Sequence, residues 1–241
     1  FSLFYIFLIK KIEFYKNKRI FFLYGWLFGF GYFVSNLYWI SISLTFDQDF
    51  KFLIPFTIIL IPGFLALFYA LVAYLFVVLK PNNNLSSFFL FSLIFGIVEF
   101  VRGSILTGFP WNLIAYSFSN QIEILNITSV IGTYSFNLFC ISLFTSPSIF
   151  ILRENKKDIS VCVAFLITTM SFYILGSQNL EKFNNQQVKK LDYKLRILSS
   201  KISIDRFYNN IDPTKAIEEL IKISSPKKNE KIIFIWPEGI I

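Results

Sequence analysis

The sequence predicts a polytopic α-helical membrane bundle followed by the start of an α/β domain. Three observations carry that expectation: an apolar composition, a series of long charge-free runs, and an abrupt change of pattern after Glu181. Hydrophobic residues make up 55% of the 241-residue chain, aromatic residues 20% and charged residues only 16%, with a mean hydropathy of +0.59. That balance excludes an ordinary soluble domain. The formal charge of +8 would normally raise nucleic acid as a partner. Here the basic residues sit in short clusters between apolar runs and in the C-terminal segment, so they read as topology signals and no nucleic-acid partner is expected.

Residues 1–9 are apolar but too short to cross alone and read as the remnant of an earlier helix. The runs 20–46, 52–79, 124–152 and 159–180 carry no charge, and 85–106 is apolar except for Glu99 and Arg102 near its end. Each exceeds the roughly 20 residues that span a hydrocarbon core of about 30 Å. Five spans are therefore expected within a bundle covering residues 1–180. Pro55 and Pro62 are expected to kink the second. No secretory signal is visible, since the apolar runs are too long. Cys140 and Cys162 lie inside apolar runs, where a thiol behaves as a small hydrophobe. The chain opens on Phe1 within an apolar stretch and ends on Ile241 just after a predicted strand, so a fragment is expected.

Orientation follows from Lys and Arg in short loops. Lys10, Lys11, Lys16, Lys18 and Arg19 fall in one loop, Lys80 in another, and Arg153, Lys156 and Lys157 in a third; the alternate loops hold only Lys51. The basic loops belong on the cytoplasmic side, which places the segment after the last span outside. From Glu181 the pattern becomes mixed charge with alternation. Tyr193 to Leu198 reads as a half-buried strand, Asp212-Pro213 as a helix start, Ala216, Ile217, Leu220, Ile221 and Ile223 as one helix side, and Lys231 to Trp236 as a buried strand. This is one βαβ unit, which cannot bury both faces of its sheet by itself.

Three places could carry chemistry. Trp236-Pro237-Glu238 closes the last strand, and a carboxylate at the carboxyl end of a strand in an α/β sheet is where such folds place ligands. Glu238 is either a general base shielded by Trp236 and Pro237 or a solvated turn residue. Glu99 and Arg102 are three apart on one helical face inside a span, a costly placement; they are either functional or a neutralised pair with Arg102 reaching toward the interface. The loop from Thr107 through Pro110, Trp111 and Asn112 to Tyr116 is either a functional element or an aromatic anchor in the interfacial belt.

The block Val98-Glu99-Phe100-Val101-Arg102-Gly103, continuing through Leu106-Thr107-Gly108-Phe109-Pro110-Trp111-Asn112 to Tyr116-Ser117, resembles apolipoprotein N-acyltransferase. So do Ile131-Gly132-Thr133-Tyr134 and Trp236-Pro237-Glu238. That family joins a membrane bundle to an extracytoplasmic nitrilase-like (carbon-nitrogen hydrolase) domain, an αββα sandwich, here expected to begin near residue 190 and to be truncated at 241. The resemblance implies a bacterial inner-membrane enzyme, with its C-terminal domain on the periplasmic side. Its acyl donor is a membrane phospholipid and its acceptor the N-terminal diacylglyceryl-cysteine amine of a lipoprotein.

It also implies covalent catalysis through a Cys thioester, with Glu238 as general base and Glu99, Arg102, Pro110, Trp111, Asn112, Tyr116 and Trp236 on the substrate side. The family's Lys and nucleophilic Cys lie downstream of the final tripeptide, and neither Cys140 nor Cys162 matches a nucleophile position. No metal or cofactor is expected. Lys201-Ile202-Ser203-Ile204-Asp205 departs from the glutamine-rich pattern that relatives often carry there. A transporter with an accessory outer domain is the competing class, its path lined by Glu99 and Arg102.

Overall fold

A computed structural model describes residues 1–105, 108–153, 155–186, 192–199, 213–227 and 230–237. The chain divides into two compact units, Phe1–Asn184 and Asn185–Ile241.

The first unit is helical. After α1 (Ser2–Ile12) come α2 (Ile20–Leu37), a 3₁₀ extension (Tyr38–Thr45), a second 3₁₀ turn (Gln48–Leu53), α3 (Ile54–Leu79) and α4 (Asn84–Ser104). A 3₁₀ turn (Ile114–Phe118) and two single-turn helices, α5 (Ile122–Leu125) and α6 (Thr128–Ile131), precede α7 (Thr133–Thr145), α8 (Pro147–Ile151) and α9 (Lys156–Asn184). Among the described residues, five helical stretches are long and apolar enough to cross a membrane: Ile20–Thr45, Gln48–Leu79, Asn84–Ser104, Thr133–Ile151 and Asp158–Asn184.

Two sequence expectations need correction. The run 124–152 is not one helix, because Gly132, at φ +78°, breaks it between α6 and α7. A left-handed residue cannot continue a right-handed helix, and glycine takes that conformation at least cost. The spanning stretch therefore starts at Thr133, and residues 114–131 fold as short turns. Pro55 does not kink its span. It stands in the first turn of α3, where a missing N–H costs nothing, whereas Pro62 lies inside the helix.

The most extensive helix packing is between α2 and α3. A Cβ on Gly25 would lie 2.5 Å from the Tyr69 carbonyl oxygen and 2.7 Å from the Ala73 Cβ, and one on Gly29 would lie 2.8 Å from the Tyr69 Cβ. Two glycines four residues apart thus let the backbones meet over Ala66, Ala70 and Ala73, the device membrane helices use where lipid supplies no hydrophobic drive. Trp26 Nε1 ties the pair by donating to the Gly63 carbonyl at 3.0 Å. Around this seam Phe76, Phe91, Phe95, Tyr5 and Tyr69 form an edge-to-face aromatic core, with Tyr69 and Phe95 centroids 4.7 Å apart. The first helix, α1, contributes Phe4, Tyr5 and Leu8 to it.

The antiparallel helices give the bundle a basic end and an aromatic end. At the basic end the Asn84 amide donates to the Leu152 carbonyl at 3.2 Å, joining the start of α4 to the end of α8. At the other end Gly176 of α9 lies against the Glu123 backbone of α5, and Asn179 donates to the Asn126 side-chain oxygen at 2.7 Å. The last span, α9, therefore finishes at the end that holds the 108–118 segment.

In the second unit β1 (Lys194–Ile197) and β2 (Ile232–Ile235) pair in parallel, Lys194 opposite Ile232 and Ile197 opposite Ile235, with α10 (Pro213–Ser224) between them in sequence. Neither strand is buried on both faces. Leu195, Ile197, Ile233 and Ile235 share one exposed face, while Arg196 and Phe234 share the other, the guanidinium 5.7 Å from the ring. Among the described side chains of α10, Leu220 and Ser224 are buried, whereas Ile221 and Ile223 are exposed; a two-stranded sheet covers only a narrow strip of the helix. The side chain of Ala216 lies outside the described residues.

Candidate active-site loop at the aromatic end

The segment after α4 is built around a buried charge. Glu99 and Arg102 are 0% and 1% exposed. Arg102 Nη2 donates to Glu99 Oε2 at 2.7 Å and Nε to Oε1 at 3.0 Å, a bidentate fork whose planar geometry suits a carboxylate. The i, i+3 spacing puts both groups on one side of the helix, and the Phe33 ring of α2 lies 5.4 Å from the guanidinium carbon. Removing two charges from water is costly unless the pair is closed and its remaining donors are used. They are used: Nη1 donates to the carbonyls of Phe109 at 2.7 Å and Trp111 at 3.1 Å.

Those two bonds fold the loop back onto the helix that supplies the arginine. The Phe109 N–H returns to the Arg102 carbonyl at 3.3 Å, so the loop and the last turn of α4 hold each other at both ends of one residue. Gly108 makes the reversal at φ +78°; a Cβ there would lie 2.6 Å from the Gly103 carbonyl oxygen. Pro110, which has no N–H to satisfy, stands between the two carbonyl acceptors. Asn112 takes the left-handed conformation at φ 59°, its carbonyl accepting from the Tyr32 hydroxyl at 2.9 Å. Trp111 stacks on Trp39 with centroids 5.2 Å apart. Further along, the Ala115 N–H donates to the buried Asn137 side-chain oxygen of α7 at 3.0 Å.

Helix α7 is brought in by a second glycine. A Cβ on Gly103 would collide with the Tyr134 hydroxyl, and the Tyr134 ring meets Phe100 edge to face at 5.1 Å. The residues at 98–103, 108–117 and 131–134 thus form one assembly, although the sequence separates them.

Comparison with known proteins identifies it. The family model described as the apolipoprotein N-acyltransferase N-terminal domain matches residues 1–145. The chain belongs to the apolipoprotein N-acyltransferase family. An apolipoprotein N-acyltransferase of Rhodopseudomonas palustris is 30% identical over 225 residues, covering 89% of this chain and 41% of the relative. One of Rickettsia bellii is 29% identical over 226 residues, 90% of this chain and 42% of the relative. One of Allorhizobium ampelinum is 34% identical over 143 residues, 59% of this chain and 27% of the relative. The chain thus spans about two fifths of the length of the longer-matching relatives.

In this N-acyltransferase segment the candidate residues separate by role. Glu99 and Arg102 face each other and the loop backbone, with Arg102 Nε, Nη1 and Nη2 all holding protein acceptors. That is a positioning geometry. Trp111 and Tyr116 are the outward groups, 48% and 46% exposed. Tyr116 and Asn112 line a cavity of about 970 Å³, together with Phe4, Phe28, Tyr32 and Phe144. A second hollow of about 420 Å³, walled by Leu60, Phe64, Phe68, Arg102, Ile105 and Phe109, adjoins the same loop.

Trp236 belongs to the second unit. Its Nε1 donates to Ser224 Oγ at 3.0 Å, while Arg196 donates to the Ser224 carbonyl at 2.7 Å, so the end of β2 and the end of α10 are pinned together. Glu238 lies outside the described residues, as do Leu106 and Thr107 of the loop block. Tyr32, Trp39 and Asn137 join the assembly without having been candidates in the sequence, and Gly103 stood there only as the last residue of the block that begins at Val98.

Proposed function

We propose that the full-length protein carrying this segment moves an acyl chain from a membrane phospholipid to the α-amino group of an N-terminal diacylglyceryl cysteine on a lipoprotein. The observation that carries the reading is the clamped loop: family membership supplies the reaction class, and the loop is a rigid outward-facing aromatic element between two apolar hollows. Both substrates carry acyl chains, which gain by staying in apolar surroundings while the ester and the amine meet at a membrane surface. The hollows are of a size that accepts several methylenes.

The chemistry proceeds in two displacements. Glu238, as general base, takes the proton of a Cys thiol supplied by the chain beyond Ile241. The thiolate attacks the phospholipid ester carbonyl, the lysophospholipid leaves with a proton on its oxygen, and a thioester remains. The lipoprotein amine then attacks the thioester carbonyl, gives its proton to the carboxylate, and leaves as an amide while the thiol is restored. A thiol of ordinary pKa near 8.5 is mostly protonated at neutral pH, so a positioned base contributes about 10²- to 10⁴-fold. Glu99 and Arg102 act by holding the loop, and Trp111, Asn112 and Tyr116 meet the lipid. The protein lies in a bacterial inner membrane, with basic loops cytoplasmic and the second unit in the periplasm; it carries a nitrilase-like domain begun by β1, α10 and β2.

The test uses the purified full-length protein with a fluorescent phospholipid donor and a diacylated cysteinyl peptide. Wild type transfers the label to the peptide, and Glu238→Gln forms no labelled thioester while remaining folded. Transfer at the wild-type rate by Glu238→Gln would remove Glu238 from the mechanism. The closed Glu99–Arg102 pair gives the transporter reading no open charged path to build on.

A further inference from the structure

The bundle's basic end offers a second amphiphilic site. Residues 10–19 hold Lys10, Lys11, Lys16, Lys18 and Arg19 against one acid, Glu13. Among the described residues none of these five enters an ion pair. Lys11 is placed by aromatics, its ammonium between 5.7 and 5.9 Å from the rings of Phe7, Phe14 and Tyr15. An ammonium among partly exposed rings is what a membrane–water boundary produces, with the stem in the apolar layer and the charge at its edge.

Next to this cluster, between the start of α2 and the last turns of α3, lies a crevice of about 440 Å³ lined by Arg19, Phe22, Leu71 and Tyr74. Its lining supplies one cation, one phenolic hydroxyl and two apolar side chains. Phe22 and Leu71 are 39% and 40% exposed in the chain alone. We propose that this crevice binds an anionic glycerophospholipid of the leaflet at the basic end. Arg19 takes the phosphate, and the first methylenes of an acyl chain lie on Phe22 and Leu71.

Charge and shape both select that ligand. Several uncompensated cations favour a headgroup of net negative charge and disfavour one that brings its own ammonium. A free phosphate would satisfy Arg19 but leave the Phe22 and Leu71 walls uncovered, whereas a lipid covers them. A topology signal needs basic residues in a loop but no slot beside them. The inference does not depend on the acyl-transfer reading, because the site lies at the end opposite the 108–118 loop.

The test takes the delipidated full-length protein in neutral detergent and follows thermal unfolding and native mass spectra. The additions are phosphatidylglycerol, phosphatidylcholine of the same chains, or inorganic phosphate. Phosphatidylglycerol should raise the midpoint beyond the level phosphatidylcholine reaches through the donor site common to both, that excess should be absent from Arg19→Gln, and raised salt should weaken it. Arg19→Gln should weaken phosphatidylglycerol binding roughly fivefold, in line with the contribution of one basic residue near an anionic surface. Leu71→Trp, which fills the slot and keeps every charge, should weaken it too and keeps the test open if Arg19→Gln inserts poorly. Equal stabilisation by phosphatidylcholine or by phosphate would overturn the proposal, as would wild-type affinity in Leu71→Trp.

Discussion

Replacing Arg102 with methionine keeps most of the side-chain volume and removes the guanidinium at the centre of the loop assembly. Four hydrogen bonds go with it: two to Glu99, and one each to the carbonyls of Phe109 and Trp111. Glu99, 0% exposed, is left without its counter-ion. Removing one partner of a buried pair costs about 3–5 kcal/mol, much of it the penalty on the charge left behind. Each orphaned carbonyl would add about 1–3 kcal/mol if it stayed buried. Trp111 is already 48% exposed, so the loop has a way out to solvent, and release of the loop should relieve most of that second cost.

The expected loss is therefore about 3–5 kcal/mol in unfolding free energy, accompanied by detachment of residues 108–112. Detachment is read separately, because the Trp39–Trp111 stack at 5.2 Å gives a coupled near-ultraviolet dichroism signal that vanishes when the loop leaves. The double variant Glu99→Gln/Arg102→Met removes the stranded charge. It should recover about 1–3 kcal/mol relative to Arg102→Met while still lacking the tryptophan signal, since the carbonyls have no donor in either variant. A cost below about 1 kcal/mol for Arg102→Met, or full destabilisation with an intact tryptophan signal, would refute the clamp.

Three further outcomes follow from the same contacts. Gly25→Leu pushes side-chain atoms into the Tyr69 backbone at the α2–α3 seam and should cost at least about 1–3 kcal/mol, seen as lower abundance and a lower midpoint in detergent; normal values would contradict the seam. Gly103→Ala should disturb α4 against α7 and impair acyl transfer, and Tyr134→Phe should return part of the loss because the phenolic oxygen is the nearest obstacle; no rescue would place the fault elsewhere. Alkaline phosphatase fused after Asn184 should be active and fused after Lys157 inactive, as the basic loops require, and the reverse pattern would overturn the orientation.

Much of the bundle was legible because hydrocarbon thickness is a length that charge-free runs either meet or miss. Backbone events were less visible. Hydropathy does not register a left-handed residue, so the run 124–152 looked continuous although Gly132 divides it. The Gly25 to Gly29 spacing sits inside a charge-free run that hydropathy reads only as apolar, although it lets α2 and α3 make the most extensive helix contact. In the candidate site, the three-residue spacing announced that Glu99 and Arg102 share a face. It did not announce that Arg102 also reaches the carbonyls of Phe109 and Trp111, because backbone acceptors leave no mark on residue identity. The same limit applies in the second unit, where alternation located both strands but Ile221 and Ile223 face outward, their fate set by how much sheet lies beneath α10.

The proposed role of the full-length protein, completing lipoprotein N-termini with Glu238 as the base, can be read in the product itself. The direct measurement is mass spectrometry of the N-terminal lipopeptide from a lipoprotein made in cells whose sole N-acyltransferase is the full-length protein. Wild type should give the N-acylated, triacylated peptide, and Glu238→Gln at equal abundance should give only the diacylated form. A diacylated peptide from well-expressed wild type, or a triacylated one from Glu238→Gln, would contradict the account.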